Sequence, residues 1–90
     1  MNKIQETIDK VRKCKEHYVN LQKFEDATNW RDVERNLIRV NEGDDSLDTF
    51  LEQFKCSEYR NFDEIYKVIR PLANFLRKEK ISKIERIYNE

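Results

Sequence analysis

Three side chains in this sequence could hold a metal or act as nucleophiles: Cys14, His17 and Cys56. Cys14 and His17 stand three residues apart, a spacing that puts two side chains on adjoining positions of a helix. Tetrahedral zinc takes four Cys or His ligands, and the chain offers three in all, so the metal reading is not adopted. A Cys14–His17 nucleophile pair lacks a third group to orient the imidazole, and the apolar spacing around Cys14 places the thiol in a buried stripe. Asp44, Asp45, Asp48 and Glu52 gather beside Gly43, but their order departs from the alternating acidic loop that binds calcium. Helix capping and attraction to the positive end of a helix account for Asp45 and Asp48 instead.

A second pattern lies in the same stretch. Arg12 is followed by His17 in an Arg-x4-His spacing that resembles the Arg-x4–6-His signature of HEPN-type ribonucleases, which are themselves helical. The resemblance covers six residues. It implies a nuclease in which His17 moves a proton and Arg12 steadies phosphate charge, the two cooperating across a dimer. The motif sits in the first long helix rather than a later one, and Lys13 occupies the place after Arg12 where that family often carries a polar residue. The residues as a whole read as a non-enzyme, with the ribonuclease as a remote alternative and no cofactor expected.

Charge gives the other lead. Residues 1–24 have a net charge of +3, residues 25–58 of −6 and residues 59–90 of +3, so the overall zero hides a basic–acidic–basic order. Such segregation either neutralises itself within the fold or leaves a charged face for a partner. An acidic surface built from Glu42, Asp44, Asp45 and Asp48, with Trp30 as an apolar anchor, would dock on a basic protein surface. Charge would speed encounter and the aromatic would supply affinity. Small inhibitors of the immunity, antitoxin or phage anti-defence kind bind in this manner. Trp30 also suits a core position, since large aromatics are mostly buried. The alternative is a nucleic-acid module using Lys13, Lys15, Arg77, Lys80 and Lys83, if the first and last helices meet on one face.

Whichever role holds, helices must position these groups. Charge is 40% of the chain, with one Gly and one Pro, and Lys, Glu and Arg lose little rotamer freedom in a helix. Ile4, Ile8, Val11, Cys14, Tyr18 and Leu21 form one stripe and predict a first helix over about Asn2–Lys23, whose heptad-like seam would also suit a homodimer. Thr28 and Asn29 read as caps for a second helix over about Trp30–Asn41, ended by Gly43. Asp45 or Ser46 would cap a third, with Leu47, Phe50, Leu51 and Phe54 as its apolar face. Asn61 with Glu64 resembles a capping box opening a fourth, in which Pro71 predicts a kink or break. The apolar phase is lost at Glu79 and Lys80, and Ser82 with Glu85 would open a short fifth helix. The expectation is an all-α, compact bundle of four to five helices, a single domain over 1–90, with the Pro71 kink or break in the penultimate helix. The N-terminus lacks the apolar run of a signal peptide, and no stretch reaches the roughly 18 apolar residues of a membrane span. Two cysteines do not make a disulfide scaffold, which suits a reducing cytoplasm. The Ile, Asn, Lys and Glu bias suits a microbial or virus-infected cell.

Overall fold

The computed structural model describes the backbone of residues 3–89 and the side chains of residues 3–79. All of its regular structure is helical: α1 spans Lys3–Asn20, α2 Phe24–Glu42, α3 Leu47–Lys55 and α4 Phe62–Asn89. Among the described residues the all-α bundle therefore has four helices.

α1 and α2 form an antiparallel hairpin, and the turn between them is set by an unusual residue. Gln22 adopts φ +61°, and the N–H groups of Gln22 and Lys23 donate to the carbonyls of Val19 and Tyr18 at 3.0 and 2.9 Å. This paired 5→2 and 6→1 bonding is a Schellman ending, normally made by glycine. The same device recurs after α2, where Gly43 at φ +87° donates to Val40 and Asp44 donates to Arg39. Glycine there has the left-handed freedom that the ending requires.

The second helix starts six residues before the position expected from Thr28 and Asn29. Glu25 and Asp26 fill its first turn, where carboxylates favour the positive helix end. Thr28 instead lies inside the helix and returns its hydroxyl to the Phe24 carbonyl at 2.8 Å, and Asn29 reaches across to Asn61. Ser46 caps α3, its Oγ accepting from the Thr49 N–H at 3.1 Å, as the sequence allowed.

One continuous core joins all four helices. Ile8 and Val11 from α1 meet Trp30, Val33, Leu37 and Val40 from α2. Phe50, Leu51 and Phe54 of α3 and Ile65, Ile69 and Leu72 of α4 close it. At one end Phe54 stacks on Phe62 with centroids 4.5 Å apart, and Tyr66 extends the stack from Phe62 at 6.3 Å.

Two expectations for the C-terminal third are corrected. The break at Pro71 is absent and no kink is shown: α4 passes through Pro71 as a single helix of 28 residues. The separate fifth helix at Ser82 is likewise absent, since the backbone stays helical to Asn89. Proline removes one hydrogen bond and crowds one carbonyl, and a helix anchored on both sides of it, by Ile65 and Ile69 before and Leu72 after, tolerates that local loss. The side chains of the proposed Ser82–Glu85 box lie outside the described residues.

Candidate functional site

The acidic segment is assembled at the corner between α2 and α3. α2 delivers Glu42 as its last residue, Gly43 turns the chain, and the Ser46 cap launches α3 with Asp48 in its first turn. Glu42, Asp44 and Asp48 are exposed. Asp45 is half-buried and its Oδ2 lies 3.4 Å from Arg39 Nε, which pins the turn back on α2. These four carboxylates occupy one corner, but Trp30 does not join them. It is fully buried in the core, with its indole Nε1 lacking a hydrogen-bond partner among the described residues. Because α2 begins at Phe24, Trp30 falls in its second turn on the apolar stripe with Val33 and Leu37. The reading of Trp30 as a surface anchor is therefore corrected to a core residue.

Beside this corner runs a groove of about 360 Å³ between α3 and α4. Leu51, Phe54, Ala73 and Leu76 give it an apolar floor, Tyr66 stands at its side, and Asp48, Glu52, Lys55 and Arg77 bring charge to its rim. No single residue in the sequence signals it, because it arises where two apolar stripes diverge.

The basic residues of the nucleic-acid reading are not gathered in the same way. Lys13 is exposed on α1. Lys15 is turned toward α2, its Nζ 2.9 Å from Glu34 Oε2, and Arg12 Nε lies 3.5 Å from the other oxygen of that carboxylate. Glu34 is itself nearly buried, so it draws two cations of the basic N-terminal stretch onto the acidic middle. Arg60 with Glu25, 3.5 Å apart, links the C-terminal stretch to the middle in the same sense. Arg77 lines the α3–α4 groove, while the Lys80 and Lys83 side chains lie outside the described residues.

The Arg12–His17 pair does not converge within one chain. Residues five apart on an α-helix are separated by roughly 140° around its axis. Arg12 faces Glu34, whereas the exposed His17 packs its ring edge-on against Tyr18 at 5.3 Å. Cys14 is half-buried, and burial, followed by the nearby Glu64 carboxylate, pushes its thiol up, away from the reactive thiolate. Cys56 is exposed at the C-terminal end of α3. Among the described residues no three His, Cys, Asp or Glu side chains come together to hold a metal ion.

Tyr18 carries a contact that the sequence did not announce. Its hydroxyl donates to the carboxylate of Glu64, tying α1 to the start of α4. That hydrogen bond, with burial and the Glu64 charge behind it, pushes the phenol up to about 12. The expected Asn61–Glu64 capping box is consequently not made. Glu64 is spent on Tyr18, and Asn61 accepts from Asn29 Nδ2 at 2.9 Å. Burial, then Asp32, also raises Tyr59.

Among the described residues no helix is long and apolar enough to cross a membrane. Comparison with known protein families, characterised proteins and solved structures finds no match.

Proposed function

We propose that this chain is a non-enzymatic protein-interaction domain that binds a basic surface of another macromolecule through the corner formed by Glu42, Asp44, Asp45 and Asp48, in the manner of a small inhibitor. The observation that supports this reading is the gathering of four carboxylates at one corner of the fold, with Asp45 held against α2 by Arg39. Glu42, Asp44 and Asp48 stand exposed on a turn fixed at both ends, by the Gly43 ending and by the Ser46 cap. A rigid, negatively charged corner loses little conformational entropy on docking and steers a cationic partner. The protein is placed by this reading in the cytoplasm of a microbial or virus-infected cell, with no cofactor.

The nucleic-acid alternative is weaker on geometry, because Lys15 is drawn onto Glu34 and Arg77 lies at the α3–α4 groove, away from Lys13 on α1. Fluorescence anisotropy with labelled duplex DNA and single-stranded RNA at low salt separates the two, with no binding expected. The decisive experiment captures partners from a native-host lysate with wild type and with the triple variant E42Q/D44N/D48N, which leaves the Asp45–Arg39 pair intact. A partner retained at low salt, released at high salt and lost from the variant is expected. Capture unchanged in the variant would sink the acidic-corner assignment.

A further inference from the structure

We infer that the groove between α3 and α4 is a self-association surface that takes the same groove of a second copy of this chain, related by a two-fold axis.

The argument starts from the charges on the rim. Asp48 and Glu52 lie on α3, and Arg77 lies opposite on α4, with Lys55 at the end of α3. Two anions and two cations thus surround an apolar floor of Leu51, Phe54, Ala73 and Leu76. A uniformly cationic helix laid here would meet Lys55 and Arg77, and a uniformly anionic one would meet Asp48 and Glu52. A surface carrying both signs on opposing walls finds its complement in its own image. In a two-fold contact each residue i that touches j is matched by j touching i, so Glu52 faces the second copy's arginine at position 77 twice over.

Two properties of the whole chain act in the same direction. Its formal net charge is zero, so copies approach without overall repulsion. α4 is 28 residues, about 42 Å at the standard rise, whereas α3, the other wall of the groove, is 9 residues, about 14 Å. α3 is therefore much shorter than the helix it flanks. An antiparallel α4 from a second copy, seated in the groove, extends the cover along that helix. Tyr66, 38% exposed on the groove side despite its place in the Phe54–Phe62 stack, gains apolar contact in the same docking.

Charge-swap sedimentation tests the inference. Wild type, E52R and R77E are compared by sedimentation velocity from low to several-hundred-micromolar concentration, with far-UV circular dichroism confirming that each variant is helical. Wild type is expected to pass from monomer to dimer mass as concentration rises. Each single variant puts like charges face to face and is expected to weaken dimerisation by about tenfold or more. An equimolar mixture of E52R and R77E restores both pairs and is expected to regain the dimer as a heterodimer. A wild type that stays monomeric throughout, or a dimer indifferent to both variants, overturns the inference and leaves the groove to a foreign partner. A mixture no more associated than its components overturns the two-fold pairing. These positions differ from the residues varied in the capture experiment, except that both surfaces share the Asp48 edge. Failure of one reading is therefore distinguishable from failure of the other.

Discussion

Glu34 carries the charge logic of the fold at the scale of a single residue. In the sequence it is one carboxylate among ten in the acidic middle, flanked by Val33 and Arg35, with nothing to mark it as buried. Only when α1 lies antiparallel to α2 do Arg12 and Lys15 reach it, because those partners are more than 18 positions away along the chain. The same reason hid the Tyr18–Glu64 contact, since each residue had a plausible local role: one in a core stripe, the other in a capping box. Local roles are legible from spacing, whereas cross-helix pairs need the rotation of both helices. The Tyr18 hydroxyl makes a pH prediction. Its folded-state value of about 12 stands above the ordinary value of 10, so the neutral, donating form is favoured in the folded protein. The contribution is fully present below pH 10 and is lost as pH rises toward 12, because the unfolded chain gives up this proton first. Urea melts from pH 8 to 12 are expected to show an alkaline loss of stability that is shallower in Tyr18→Phe. Identical alkaline slopes in the two proteins would show that the hydrogen bond does not persist in solution. The group is largely exposed, so the effect is a small one.

Among elements, the body of α1 and the start of α3 were readable, and the reasons differ. α1 has a long single stripe whose period leaves one solution, and α3 has a strong cap in Ser46 followed by four apolar residues in register. The start of α2 was not readable, because Lys23 makes no side-chain cap and Thr28–Asn29 imitate one. The end of α1 was hidden for a related reason: a left-handed position filled by glutamine carries no compositional mark, whereas Gly43 declares itself. The two Schellman endings therefore form a natural pair. Gly43→Ala places a side chain at φ +87° with nothing within 4 Å of its Cβ, so backbone strain is its main consequence. It is expected to destabilise by about 1 kcal/mol. Gln22→Gly relieves strain at φ +61° but adds freedom to the unfolded chain, for a net gain of about 0.5 kcal/mol. Chemical denaturation reads both. Gly43→Ala without cost, or Gln22→Gly as costly as Gly43→Ala, would contradict the left-handed assignments.

The whole molecule is longer than its chain length requires, and α4 is the cause. Its Cα radius of gyration is 14.7 Å and its principal extents are 56 × 26 × 21 Å. A compact chain of this length has a radius near 12 Å by the usual scaling. A helix that broke at Pro71 would carry Ala73, Leu76 and Arg77 away from the α4 wall of the groove, and its second half, folded back on the bundle, would give that smaller radius. A helix that runs through Pro71 keeps the molecule elongated and leaves the groove open. The shape of the molecule, the state of Pro71 and the availability of the α3–α4 surface are thus one question. Small-angle scattering, extrapolated to zero concentration so that self-association does not contribute, is expected to give a radius close to 15 Å for the wild type. Pro71→Ala restores the missing hydrogen-bond donor to an already continuous helix and is expected to leave that radius unchanged while raising stability by about 1–3 kcal/mol. A wild-type radius near 12 Å that lengthens in Pro71→Ala would mean that proline does break the helix. The α3–α4 groove, walled by Ala73, Leu76 and Arg77, would then be lost with the break.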